Sequence, residues 1–231
     1  MRKEPPDASL ADRLFAAIAV SDVRKVRALL AEDAEIASLP AVADHLFDQI
    51  PHWLYVGDTP LHLASAALAD EIVEVLLAAG GDAKSANRRG ATALHYGCDP
   101  RPQLGVWNPE KQARIIDLLV AGGAAVNSGD EGGATPLHRA TRARSATAVQ
   151  RLLFHGADTG ARLSRSGSTP LHVAVSQSGA SGTRGARKEQ LEIVAALLKR
   201  GANPLDMDSR GRSVLSVARD QQIKHLLLGA I

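Results

Sequence analysis

Eight histidines and one cysteine are the side chains of this 231-residue chain best suited to metal binding, nucleophilic attack or general-base work. Four of the histidines stand three residues after a threonine, or one turn along a helix. They lie in Thr59-Pro60-Leu61-His62, Thr92-Ala93-Leu94-His95, Thr135-Pro136-Leu137-His138 and Thr169-Pro170-Leu171-His172. Cys98 lies three residues after His95, so on one helix the two would share a face, as a thiol and its base must. No third group to orient the base and no oxyanion donors accompany them, which favours a small buried thiol and assigns no catalytic residue. His45, His52, His155 and His225 show no ligand spacing. Residues 178–185, rich in Gly and Ser and flanked by Arg184, Arg187 and Lys188, could cradle an anion. They lack the Gly-Lys-Ser/Thr ending of a phosphate loop and no strand precedes them, which favours a flexible loop.

The elements that position these residues repeat. Each threonine reads as a helix N-cap and the proline after it as the first helical residue. The histidine falls where a side chain can reach back to the cap, as in a capping box. A degraded copy stands at Ser213-Val214-Leu215-Ser216. Twenty-one residues after Thr59 comes Gly80, and the same distance after Thr135 comes Gly156, each following an apolar helical run that ends in Leu-Leu. Glycine there suits the left-handed residue that stops a helix. One unit is therefore a capped helix, a tight turn, a second helix, a glycine stop and a polar link. Because the histidines recur one per unit, they should sit a helix layer apart, too far to share a metal held at about 2 Å. Structural hydrogen bonding is the reading that fits, and no metal or cofactor is expected.

Thr-Pro-Leu-His, the Leu-Leu pair and the ending Gly156-Ala157-Asp158, with Gly123-Ala124-Ala125-Val126-Asn127 alike, resemble the ankyrin repeat family over nearly the whole chain. The resemblance implies an all-α solenoid of about six stacked helix pairs in one domain over 1–231. The units are approximately 9–38, 56–87, 88–129, 130–163, 164–208 and 209–231, the first and last being caps. Thr92 to Gly123 takes 31 residues and Thr169 to Gly201 takes 32, so the third and fifth units carry insertions, at 99–109 and 178–187. A third extra segment, 38–56, separates the first two units, with a short helix expected over 41–50.

Apolar residues make up 45% of the chain and aromatics only 3%, so Ala, Leu and Val must build a thin core. No apolar run approaches the ~18 residues of a membrane span, and the first residues lack a signal peptide's apolar stretch; a cytoplasmic protein with no membrane partner is expected. The net charge of +2 conceals an imbalance. Residues 121–231 hold 15 Lys/Arg against 8 Asp/Glu, a surplus of +7, whereas residues 1–120 hold 12 against 17, or −5. Chance variation on solvated faces produces such numbers, and so does a basic half that attracts an acidic partner. Few aromatics and dispersed charge argue against nucleic acid.

The resemblance further implies a non-enzymatic module that binds another protein through its turn tips and first helices. The variable residues there are Arg88, Arg89, Tyr96, Asp130, Glu131, Arg139, Arg142, Val173 and Ser176, with Trp107 and Arg144 at the inserted edge. A second aromatic patch, Phe47, Trp53 and Tyr55, reads either as extra core or as an interface anchor. The rival reading is a small-ligand, anion-binding or catalytic site on the inserted edge, drawing on Asp99, Arg101, Trp107, Arg142, Arg144 and Arg184. Trp107 itself is either a plug against its own unit's second helix, near Ile115 and Ile116, or one wall of that site.

Overall fold

The computed structural model describes residues 8–47, 53–100, 107–176 and 186–231. Among them twelve α-helices form consecutive pairs. The pairs are α1 (Ala8–Ala19) with α2 (Val23–Glu32), α3 (Pro60–Ala66) with α4 (Asp70–Ala78), and α5 (Ala93–Gly97) with α6 (Pro109–Ala121). There follow α7 (Pro136–Arg142) with α8 (Ala146–Phe154), α9 (Pro170–Val175) with α10 (Arg187–Lys199), and α11 (Val214–Val217) with α12 (Gln221–Leu228). Each first helix packs on the first helices before and after it, and each second helix does likewise. The result is two helical layers with a thin continuous core between them, in which Leu14, Leu61, Leu94, Leu137 and Leu171 are wholly buried at equivalent places. No described helix is long and apolar enough to cross a membrane.

The first helices are too short to persist alone, and their starts explain why they form. Pro60, Pro136 and Pro170 occupy the first turn, and each histidine closes a capping box. His95 Nδ1 accepts from the Thr92 N–H at 3.1 Å and lies 2.9 Å from Thr92 Oγ1, while Nε2 donates to the Ala134 carbonyl at 2.9 Å. A carbonyl can only accept and an N–H can only donate, so the ring is the neutral tautomer with its proton on Nε2. His62 reaches Ala91 O, His138 reaches Ser168 O and His172 reaches Arg212 O in the same way. Every one of these histidines therefore ties its own cap to the residue just before the next pair's cap.

Turns complete the stack. Gly80, Gly123, Gly156 and Gly201 follow the second helices at φ 94°, 92°, 83° and 87°. At the links, Glu131 N donates to Arg89 O, Ser164 N to Gly132 O and Ser209 N to Ser166 O, so the turn tips form a ladder of their own. Gly133 (φ 73°) packs so closely that a Cβ would fall 2.9 Å from both Arg162 O and Ser164 N.

The segment between the first two pairs departs from expectation. Instead of a helix over 41–50, its described part is an antiparallel hairpin of β1 (His45–Leu46) and β2 (Trp53–Leu54). The arms are joined by Ala41 N to Asp58 O, Gly57 N to Ala41 O and Val56 N to Asp44 Oδ1. A ten-residue helix needs a buried face to persist, whereas 42–46 are exposed. The nearby Trp and Tyr favour pleated backbone.

Two outcomes test this account. Gly156→Ala meets open space and should lose about 1 kcal/mol from its left-handed backbone alone. Gly133→Ala adds a backbone clash and should lose distinctly more in the same urea melts. Burial, with help from Arg139, pushes His95 down from 6.5 to about 4, and burial also lowers His138 and His172. An unfolded chain takes up these protons first, so stability is full above pH ~6.5 and falls as pH drops towards ~4. Asp70, Asp117, Asp130 and Asp208 are held below 3.8 and leave most of that window to the histidines. His95→Gln should flatten the slope of stability against pH between ~6.5 and ~4.5, and an unchanged slope would show that His95 is charged in the fold.

Candidate protein-binding surface

The expected surface residues divide into those the fold uses internally and those it presents. Tyr96 is buried at 2% exposure. Its hydroxyl donates to Asp58 Oδ2 at 2.8 Å and accepts from Asn87 Nδ2 at 3.1 Å, while the same Asn87 amide also donates to Asp58 Oδ1. Burial and the adjacent Asp58 charge push its ionisation well above the ordinary tyrosine range, so it stays a neutral donor. Tyr96 is thus a core anchor and not a projecting contact. Asp58 is wholly buried and also accepts from Tyr55 N, which fastens the hairpin to the stack. A tyrosine in the slot that holds Arg139 in a later first helix, with a buried-position Asp 38 residues before it, is the signal that could have predicted this.

Arg139 is mostly enclosed. It donates to Asp99 at 2.7 Å and to Asp130 at 3.0 Å, and Arg142 lies 3.4 Å from the other oxygen of Asp99. Burial opposes the Arg139 charge, but the two carboxylates outweigh it and raise its ionisation. Arg144 is buried at 3% exposure, with a left-handed backbone (φ 59°) that Ser21 and Leu68 share at the corresponding turns. Its guanidinium donates to Ala174 O at 2.7 Å and Ser176 O at 2.6 Å, capping the carbonyl end of α9. It is therefore a brace and not an open anion site.

Trp107 is half-buried against the core. Its indole N–H donates to Gln112 Oε1 at 2.8 Å. Wholly buried Gln112 also accepts from Ser145 Oγ at 2.7 Å and donates to Gly97 O at 3.0 Å. Trp107 thus sits as a plug would, part-buried and bonded to the second helix of its own unit. Gln112 was not singled out in the sequence, where nothing separates it from an exposed glutamine. Arg101 and Arg184, and the loop 178–185, lie outside the described residues.

Chemistry is scarce elsewhere. Cys98 is fully buried, and burial followed by Asp99 pushes its thiol far above the range of a nucleophile. Among the described residues no three His, Cys, Asp or Glu side chains converge as a metal site would need.

What remains open lies at the turn tips. Arg88 and Arg89 are exposed, but they lean on the hairpin: Arg88 pairs with Asp44 at 3.0 Å, and Arg89 stacks 4.6 Å over the Tyr55 ring. The aromatic patch splits, with Phe47 and Tyr55 packed on the core and Trp53 left 48% exposed. Glu131 and Arg142 are exposed, and Asp130, Val173 and Ser176 are intermediate. Between the last two pairs is a cleft of ≈ 390 Å³, lined by Ser168, His172 and Ser176 on one side and Asp208, Arg212, Val217 and Arg219 on the other.

With paired helices, glycine stops and a capping-box ladder in place, comparison with known families is decisive. Residues 56–88 match the family described as Ankyrin repeat, and residues 106–208 match Ankyrin repeats (3 copies). The chain belongs to the ankyrin repeat family. No curated protein matches it. The ankyrin repeat family is one of non-catalytic scaffolds that typically mediate protein–protein interaction. In this ankyrin chain the motif residues build the stack, and the family alone does not name what it binds.

The plug predicts its own mutants. Trp107→Ala should lose about 2–4 kcal/mol of stability. Trp107→Phe keeps the apolar wedge, leaves Gln112 its Ser145 donor, and should lose about 1 kcal/mol, read by thermal or urea unfolding.

Proposed function

We propose that this chain is a protein-binding module of six ankyrin units that grips an acidic partner across the turn tips and first helices of its C-terminal half. The support is the distribution of unpaired charge. In the middle units the tip and first-helix charges are largely consumed internally, Arg139 by Asp99 and Asp130, and Arg88 by Asp44. In the last two units they are not. Arg162 pairs with Asp206 and Arg212 with Asp208, but Arg165 and Arg210 are exposed with no side-chain ion pair or hydrogen bond among the described residues. The tips that carry them are adjacent, through Ser209 N to Ser166 O at 2.8 Å. Leu205 and Met207, 49% and 54% exposed, stand beside them, and Arg with Met is a composition that interfaces favour.

The test is capture from extract of the native host. Wild-type protein should retain a partner that rising salt releases. Arg165→Glu with Arg210→Glu should abolish retention, and Lys199→Glu with Arg200→Glu, at the end of α10, should not. Equal loss in both double variants would show that net charge, and not this edge, does the binding.

A further inference from the structure

We propose that the cleft between the last two helix pairs is a carboxylate-binding site that seats an Asp or Glu side chain of the partner, with Arg219 as its principal cation. This rests on the reading of the chain as a protein-binding module and adds where and how one acidic residue is held.

The charged end of the cleft carries more donors than acceptors. The Asp208 carboxylate is already saturated: Oδ1 accepts from Arg210 N and Arg212 N, and Oδ2 from Arg212 Nε and Nη2. These bonds from Arg212 and the backbone hold its ionisation down at about 2, so it remains one fixed anion matched by one fixed cation. His172 adds no charge, because Nδ1 is committed to Thr169 and Nε2 to the Arg212 carbonyl. Arg219 is exposed at the cleft and has no ion pair or hydrogen bond among the described residues. Its neighbour Asp220 does not neutralise it, being paired with Arg187 at 2.7 Å and capping α12 through Gln222 N and Ile223 N. Ser168 Oγ, on the opposite side, likewise has no bond among the described residues, and Arg212 is still half exposed. The cleft therefore presents one unmatched positive charge, a free hydroxyl and the flank of a second guanidinium, with Val217 as an apolar side.

That inventory matches a carboxylate, which only accepts and carries one negative charge. It does not match a cation, because the one carboxylate present has no lone pair to spare. No Phe, Tyr or Trp side chain lines the cleft, and the His172 ring is tied at both nitrogens, so the cleft offers a poor platform for a nucleobase. Ser168 and Asp208 of the lining are three and two residues from Arg165 and Arg210 along the chain, so an extended acidic segment can reach both the cleft and the tips.

Fluorescence anisotropy with a labelled octaglutamate peptide at low ionic strength, where exposed charges are least screened, provides the test. Arg219→Glu should weaken binding by at least about fivefold, the scale of one exposed pair lost and one repulsion gained. Ser168→Ala should weaken it less, and Arg200→Glu, a charge-matched change on the outer layer, by under about twofold. Arg219 is exposed, so an unchanged melting midpoint should accompany the loss. Equal weakening by Arg219→Glu and Arg200→Glu would overturn the site in favour of diffuse attraction. So would tighter binding of an oligothymidine strand than of the peptide. If Arg165→Glu with Arg210→Glu abolishes capture of the host partner while Arg219→Glu changes neither capture nor peptide binding, the module stands and the cleft falls.

Discussion

The interaction on which the stack depends is the hydrogen bond from a neutral histidine to the backbone of the following helix pair. Each first helix has only four to seven residues from α3 onward, too few to hold its own shape. The histidine compensates in two directions. On one side it accepts from the cap and fixes the helix start; on the other it donates to the carbonyl that precedes the next start. In the four pairs that carry it, local order and stacking thus share one side chain. That is the physical basis of near-neighbour cooperativity in such proteins. Burial pushes His95, His138 and His172 away from protonation, and a proton on Nδ1 would also face the N–H and the hydroxyl it now accepts from.

Polar burial elsewhere follows the same logic of complete partnership. Asp58 is a carboxylate with no exposed surface, a costly group unless every lone pair is used. Tyr96, Asn87 and the Tyr55 N–H all converge on it. Because Tyr55 belongs to the arm that carries β2, this network fastens a non-repeated segment to the repeated stack. Gln112 does the equivalent for the α5–α6 pair, joining Trp107, Ser145 and the Gly97 carbonyl from three stretches of chain. Arg144 does it for α9. The described start of the first insertion is rooted in the same way, Asp99 being held by Arg139 and Arg142 of the neighbouring pair.

How much of this was legible beforehand depended on whether a residue's role was local. Caps, glycine stops and helix pairs follow from spacing along the chain, and the His-to-cap bond was readable from a three-residue gap. The other half of that bond, to a carbonyl some thirty or forty residues away, was not, although its regular recurrence is now plain. Tyr96 was read as surface because its slot is variable and Arg144 because it lies at the inserted edge, yet burial of a polar side chain is decided by distant partners, Asp58 in one case and the end of α9 in the other. The hairpin was misread as helix because its register depends on backbone bonds to Asp58 and on the exposure of 42–46, neither of which alternation in so short a segment reveals.

The same distinction underlies the proposed binding edge. A side chain that satisfies its neighbours contributes to folding but has little left to offer a partner, and in the middle of this chain the conspicuous arginines are of that kind. Arg139 faces two carboxylates and Arg144 two carbonyls, so removing either would disturb the stack before it disturbed any complex. Toward the last units the number of fixed anions per arginine drops. Asp206 and Asp208 each hold one guanidinium, and Arg165, Arg210 and Arg219 are left over. These three can be fully hydrated when the protein is free, so they need no internal partner, and their desolvation has to be met by whatever binds. An anion contributed from outside meets that requirement where an apolar or cationic surface does not. On the proposed binding reading, the surplus at this end constrains the partner's chemistry and is also a feature of the fold.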